Sequence, residues 1–252
     1  MTGGGRGIGR TVALTLADHG AHLAICGRTA ATLQKTADDI SAKGVTCWPI
    51  VADVTDLSQI EHFVAETARA AGRIDILVNN AVSSKSAPFD EQSDDDWRHH
   101  IDVKLVAYIR MVRAVLPHMQ ARKWGRIVNT GGMTARIAAP LRVTNGINNA
   151  GVANLTSQLA GQLGPDGITI NCVHPGATMT DRQQMNLERR ARDAGIPVDE
   201  MRSRAIAEIP LGRLIEPADV ANAVLFFCSP LADMITGQAI AVDGGQVNAI
   251  NY

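Results

Sequence analysis

The sequence predicts an α/β protein with a single doubly wound parallel sheet covered by helices on both faces, and three observations lead there. Short apolar runs alternate with helix-patterned segments along the whole chain. The runs are continuously apolar rather than alternating, which is the pattern of strands buried on both faces. A glycine-rich turn, "TGGGRGIG", leads directly into the first helix, an arrangement that aims backbone N–H groups at a phosphate. The 252 residues suit one domain, 1–252, with no repeat, linker or low-complexity tract.

The first helix follows the glycines, with Val12, Leu14 and Leu16 among its apolar positions. Strands follow at "AHLAIC", "VTCWPIVAD" and "IDILVNN". A long helix is then expected from Trp97 to Met119, on which Trp97, Ile101, Lys104 and Tyr108 share a face. After the strand "GRIVNT", a second long helix is expected from Asn145 to Leu163, with Ile147, Gly151, Leu155, Leu159 and Leu163 in step as one buried stripe. "ITINCVHP" and "QAIAVDGG" complete the strands. Between them, residues 180–210 form a polar excursion at the carboxyl end of a strand, where such sheets place a substrate lid; a solvated pair of surface helices is the competing reading.

Composition excludes several functions. Net charge is −1, with 24 Lys+Arg against 25 Asp+Glu, so no electrostatic footprint for nucleic acid or an anionic membrane is expected. No stretch approaches the ~20 apolar residues of a membrane span. Cys26, Cys47, Cys172 and Cys228 are scattered singly through apolar runs, as reduced core residues of a cytoplasmic protein would be, and no metal site is expected.

The glycine turn and the strand that follows it point to a dinucleotide. Gly3, Gly7 and Gly9 let the backbone approach a pyrophosphate at a helix N-terminus. The next strand ends at Gly27 and Arg28, where an acidic residue would hold a free ribose 2′-hydroxyl. An arginine there favours a 2′-phosphate, so NADP(H) is expected over NAD(H), with Arg6 assisting.

At this point the chain resembles the short-chain dehydrogenase/reductase family over essentially its whole length, and is most like its 3-oxoacyl reductases. "TGGGRGIG" is similar to the family's TGxxxGxG, "ADV" at 52–54 to its adenine-side Asp segment, and "NNAV" at 79–82 to its NNAG. "HPGATMT" at 174–180 is similar to its PG turn with a nicotinamide-side Thr. The resemblance implies a Rossmann-type sheet and a nucleotide site drawn from Gly3, Arg6, Gly7, Ile8, Arg28, Asp53, Val54, Asn79, Ala81, Pro175, Gly176 and Thr180. Two departures touch this region. Val82 replaces a glycine beside the nicotinamide ribose, which is expected to weaken cofactor affinity. The family also begins with a central strand, and here only Met1 precedes Thr2, so an apolar strand upstream of Thr2 is expected.

The family's chemistry needs a Tyr that moves the substrate proton and a Lys four residues on that tunes it. A Ser polarises the carbonyl, and an Asn on the preceding long helix completes a relay. On that pattern Asn145 stands at the Tyr position, Asn149 at the Lys, Gly132 at the Ser and Lys104 at the Asn. The two tyrosines, Tyr108 and Tyr252, lack a Lys four residues later. The usual tetrad is therefore absent, and Lys104, Asn145 and Asn149 are the candidate substitutes. Lys104 is either a desolvated amine of lowered pKa or a snorkelling surface ammonium; the two asparagines either donate to a ligand or pad the helix start. His174 reads as a structural strand-end residue.

Two functions remain open. One is an NADP(H)-type nucleotide-binding protein without the tetrad, serving as a non-catalytic or regulatory subunit of a heteromeric dehydrogenase/reductase. The other is an atypical oxidoreductase, or a non-redox lyase or isomerase, using Lys104 and Asn145. Family resemblance implies a dimer or tetramer through the two long helices, with Leu155, Leu159, Val112 and Leu116 supplying apolar area.

Overall fold

The computed structural model describes residues 1–247, and the expected α/β architecture is present. Six parallel strands are β1 (Leu23–Gly27), β2 (Cys47–Val51), β3 (Ile76–Asn79), β4 (Gly125–Thr130), β5 (Ile168–Pro175) and β6 (Ala239–Val242). Successive residues along each strand feed opposite layers, which is why β1, β2 and β3 are almost continuously apolar; β4 and β5 depart from that expectation and also bury polar residues, Arg126, Asn129, Thr169, Asn171 and His174 among them. Ile25, Val78, Val128 and Val173 face one core with α1 (Gly7–Asp18), α2 (Ala30–Ser41) and α9 (Pro217–Cys228). Ala24, Leu77, Ile127 and Ile170 face the other, with α3 (Leu57–Ala71) and α5 (Ala107–Gln120).

The sheet is not one continuous ladder. β1 pairs with β2, and β3, β4, β5 and β6 run side by side as a separate sheet. Met1 and Thr2 are the thread between the two. The Thr2 N–H donates to Val78 O at 3.0 Å, the Cys26 N–H donates to Met1 O at 3.0 Å, and Thr2 bridges Cys26. Beyond Met1 the space between β1 and β3 continues as a cavity of about 350 Å³, walled by Leu23, Trp48, Phe63, Ile76 and Met111. The Met1 ammonium is buried there against Ala24 O at 2.7 Å, and burial lowers its pKa.

Both long helices differ in detail from expectation. The first is α4 (Asp94–Ile101), a π-helical turn at Asp102–Val106, and α5. Ser93 and Asp96 cap its start reciprocally. A π turn admits an extra residue into the helix and re-aims the side chains it carries, here Val103 and Lys104 inward. The second long helix, α6, spans Val143–Leu163. Its buried line is Thr144, Asn148, Asn149, Val152, Thr156 and Leu163, so of the expected apolar stripe only Leu163 is fully buried: Ile147 is 53% exposed, and Gly151, Leu155 and Leu159 are half-buried. The reason is pairing. Asn129 Nδ2 on β4 donates to Thr156 Oγ1 at 3.0 Å, which turns a polar face of α6 toward the sheet. Val112 is fully buried under β3 and β4 and offers no surface for association.

The excursion at 180–210 is a helix pair, α7 (Asp181–Ala194) and α8 (Val198–Ala207). Thr180 caps α7 by accepting from the Gln183 N–H at 3.3 Å. Leu187, Ala191, Met201 and Ala205 anchor the pair in the α1–α9 core, so it is neither irregular nor merely solvated. Among the described residues no helix is long and apolar enough to cross a membrane, and no cluster of His, Cys, Asp or Glu could hold a metal. All four cysteines are unpaired; Cys26, Cys172 and Cys228 are buried.

Candidate cofactor cleft and tetrad positions

A cleft of about 540 Å³ opens at the carboxyl ends of the strands. One wall is the glycine turn, whose geometry excludes side chains. Gly3 and Gly7 have φ of +66° and +53°, and a Cβ at Gly9 would stand 2.0 Å from Gly3 O. The first backbone N–H groups of α1 are thereby left facing the cleft, where an anionic oxygen satisfies them. Asp53 is fixed in its loop, accepting from the Thr55 N–H at 2.9 Å and the Thr55 hydroxyl at 2.8 Å.

Of the sequence-expected nucleotide residues, Gly3, Arg6, Gly7, Ile8, Arg28, Asp53, Val54, Ala81 and Thr180 line this cleft. Arg6 and Arg28 stand exposed on its wall. Asn79, Pro175 and Gly176 lie outside it: Asn79 is fully buried, its Nδ2 bracing β3 to β4 through Asn129 Oδ1 at 3.0 Å. Asn80 lines the cleft instead, and its Nδ2 donates to Gly3 O at 3.3 Å, tying the glycine turn to β3. Val82 projects into the wall at 43% exposure. The second Asn of "NNAV" was legible as a motif residue; Ser83, Arg182 and Met185, which also line the cleft, carried no sequence signal.

The glycine cradle, the free helix N-terminus and the exposed guanidiniums fit a dinucleotide phosphate ester. Gly3, Gly7, Ile8 and Thr180 would hold its pyrophosphate and nicotinamide side, and Arg6 and Arg28 its adenosine side.

The four tetrad positions gather behind one end of the cleft. Lys104 is 2% exposed and does not snorkel; its Nζ donates to Tyr108 Oη at 3.1 Å, to Gly131 O at 3.5 Å and, in a closer contact, to Thr130 O. Burial brings its pKa from 10.5 down to about 8. Tyr108 Oη shares the same carbonyl, Thr130 O, at 3.1 Å, and burial holds its phenol well above the usual range. Tyr252 lies outside the described residues.

Gly132 faces Asn149, and a Cβ there would meet Asn149 Nδ2 at 2.6 Å. Asn149 Nδ2 donates to Thr134 Oγ1 at 2.9 Å. Asn145 Nδ2 donates to Ser84 Oγ at 3.1 Å, leaving its buried Oδ1 without a partner. His174 Nδ1 accepts from the Gly132 N–H at 2.9 Å, and burial lowers its pKa to about 4, so the imidazole is neutral and already used as an acceptor.

This geometry joins a full-length sequence likeness. The family model described as enoyl-(acyl carrier protein) reductase matches residues 3–246. The chain belongs to the short-chain dehydrogenase/reductase family. It is 31% identical over 246 residues to the 3-oxoacyl-[acyl-carrier-protein] reductase FabG of Staphylococcus aureus strain Mu50, covering 97% of this chain and 96% of that one. To the oxidoreductase UcpA of Escherichia coli K12 it is 34% identical, covering 97% and 92%. YwfH, an NADPH-dependent reductase of bacilysin biosynthesis, superposes with a TM-score of 0.93 at 29% identity, covering 99% and 97%. A variant of the actinorhodin polyketide ketoreductase with NADPH gives 0.93 at 30%, covering 98% and 95%. As a short-chain dehydrogenase/reductase, the protein thus has NAD(P)-dependent oxidoreductases as its relatives.

Proposed function

We infer that this family member binds a nicotinamide cofactor, NADP(H) in preference to NAD(H), and lacks the usual reductase chemistry, serving as a non-catalytic or regulatory subunit beside an active relative. The observation that supports this best is the quartet Lys104, Gly132, Asn145 and Asn149. A bound nicotinamide would supply a hydride, but the carbonyl that receives it must also receive a proton. Asn145 and Asn149 have none to give near neutral pH. Gly132 has no side chain to polarise an oxygen. Tyr108 holds its proton far too tightly, and His174 Nδ1 is committed to the Gly132 amide.

Arg28 supports the NADP(H) preference, because an exposed guanidinium at the end of β1 can take a 2′-phosphate in a charge-assisted pair worth about 1.5–3 kcal/mol. Val82 in the cleft wall supports a reduced affinity for either cofactor. The exposed Ile147 and half-buried Gly151 and Leu155 support association with another family subunit, as a dimer or tetramer, through α6. Unpaired, buried thiols suit a cytoplasmic protein.

One observation favours the rival reading, an atypical oxidoreductase, lyase or isomerase: the Lys104 amine, at a pKa of about 8, can lose a proton in the physiological range. Against it, the donors of that ammonium are already taken by Tyr108 and two backbone carbonyls.

The experiment restores the family's residues together, as Lys104→Asn, Gly132→Ser, Asn145→Tyr and Asn149→Lys. The Gly132 and Asn149 changes must be coupled because of their contact. The restored chain is expected to oxidise NADPH with ketone and acyl-thioester substrates while the native chain does not. Turnover by the native chain that disappears in Lys104→Met establishes the rival reading instead. Calorimetric titration of NADPH and NADH into the native chain and Arg28→Ala tests the cofactor preference separately.

A further inference from the structure

Lys104 holds a buried charge that no acid answers. Its Nζ lies where the carbonyls after β4 converge, donating to Thr130 O, to Gly131 O at 3.5 Å and to Tyr108 Oη at 3.1 Å, and it stands 4.9 Å from the centre of the Tyr108 ring. These partners are all neutral. Among the described residues no Asp or Glu bonds to it, whereas the other buried cation, Arg126, reaches Asp233. The titratable groups packed around it do not cancel it either. His100 on α4 and His174 on β5, lowered to about 4, are neutral at pH 7, and Cys172 on β5, pushed up to about 12, stays a thiol. The Tyr108 phenol on α5 keeps its proton, and Arg136, whose charge reaches His174 and Cys172, has the same sign as Lys104.

The strand order puts this charge at one particular end of the cleft. Arg28 follows β1, and Thr130 and Gly131 lie at the end of β4; the glycine turn, entered from Met1 and Thr2 between β1 and β3, stands between them. A dinucleotide with its pyrophosphate on the turn and its adenosine toward Arg28 therefore runs its nicotinamide toward the ends of β3 and β4. There the Tyr108 hydroxyl that takes Lys104 Nζ also lies 3.3 Å from Ala81 O. Ala81, Val82 and Val103, the residue before Lys104, line the cleft. One hydroxyl thus separates the ammonium from the wall, and what fills the gap is protein, which screens a charge far less than water does.

The two redox states of a nicotinamide differ in charge at the ring: the oxidised pyridinium carries one positive charge and the reduced dihydropyridine none. A buried cation beside the ring repels the first and is indifferent to the second. We propose that Lys104 makes this cleft select the reduced cofactor, so that the chain responds to the ratio of reduced to oxidised nucleotide rather than to their sum. That selection rests on the cleft being the nucleotide site proposed above. A lysine that merely braced the turn after β4 would bond the same carbonyls and make no such distinction. Because Lys104 titrates near 8, the selection fades as pH rises and the amine becomes neutral. By linkage, an oxidised ring lowers that pKa further and expels part of the Lys104 proton as it binds.

NADPH and NADP⁺ are titrated calorimetrically into the full native chain and into Lys104→Met at pH 6.5 and 9.5. In the native chain the affinity advantage of NADPH over NADP⁺ should shrink about five- to tenfold between the two pH values. In Lys104→Met it should change by less than about twofold. The 2′-phosphate is common to both cofactors, so its own titration cancels in the ratio. At pH 8, in buffers of different ionisation enthalpy, NADP⁺ binding to the native chain should release about 0.4 of a proton more than NADPH binding, and this excess should vanish in the variant. The native chain's pH and buffer series stand by themselves if Lys104→Met fails to fold. An NADPH advantage that is the same at both pH values, equal proton release for the two cofactors, or a pH dependence that survives in Lys104→Met each overturns the proposal. Binding of both cofactors without discrimination refutes the role of Lys104 alone, whereas binding of neither refutes the cofactor reading and this selection with it.

Discussion

Lys104→Met removes a charge from the interior while keeping a side chain of similar length, and the structure sets how stability should respond to pH. In the unfolded chain Lys104 titrates near 10.5; in the folded chain, fully buried, it titrates near 8. Below pH 8 the ammonium is charged in both states and folding bears the whole burial cost. Between 8 and 10.5 the unfolded chain holds a proton that the folded chain has lost, so this residue makes stability rise with pH by about 1.4 kcal/mol per unit. Across the window that is roughly 3 kcal/mol.

The Met variant also forfeits the donors to Thr130 O and Gly131 O. Thr130 O retains the Tyr108 hydroxyl at 3.1 Å, so the lost bonding should cost only about 1–2 kcal/mol. Lys104→Met should therefore be more stable than the native chain at pH 7 by about 1–2 kcal/mol and less stable by a similar amount near pH 11. Urea unfolding of both proteins at intervals between pH 6.5 and 11 gives the difference curve. The difference is the right quantity, because the buried thiols Cys26 and Cys228, pushed up to about 11 and 12, titrate with the opposite sign and cancel in it; Cys172, which feels the Lys104 charge, is replaced by Ala in both proteins. A difference that stays flat with pH would refute the assignment of Lys104 as a buried, charged amine.

On the acid side, burial lowers His100 and His174 to about 4, so the unfolded chain takes up protons first and stability should fall as pH drops from about 6.5 through 4. His174→Asn keeps an acceptor for the Gly132 N–H but cannot titrate, and should remove up to about 3 kcal/mol of that loss; an unchanged acid limb in chemical denaturation would rule this out. Leu155→Asp, on the partly exposed side of α6, should leave the monomer folded and abolish any self-association or capture of a co-expressed family subunit. Light scattering checks this, and a native chain that is a stable monomer and captures no relative would remove the basis for the interface. Joining an apolar, β-branched pentapeptide ahead of Met1 should fill the cavity between β1 and β3, replace the buried Met1 ammonium by an amide and raise the melting temperature by roughly 5 °C or more; calorimetry showing no rise would mean that the cavity does not accept a strand.

The sequence by itself determined the layers of this protein, because burial on two faces demands runs rich in apolar residues; the polar members of β4 and β5, among them Arg126, Asn129, Asn171 and His174, are buried as well and hydrogen-bonded. It also determined the glycine turn, since backbone at the φ of Gly3 and Gly7 admits little but glycine, and it picked out Lys104, Gly132, Asn145 and Asn149, which is a matter of residue identity at fixed spacings. Tertiary structure decided what periodicity could not. The stripe Ile147–Gly151–Leu155 has the spacing of a core face, yet Asn129 on β4 pairs with Thr156 and turns the polar side of α6 inward. Lys104 was open between snorkelling and burial until the π turn at 102–106 and the carbonyls after β4 settled it, and neither feature leaves a mark in local sequence. Ser84 and Arg182, 98 positions apart, meet only when α7 folds back over the cleft. Contacts of that kind are fixed by distance in space, and hydrophobic pattern along a chain carries no record of them.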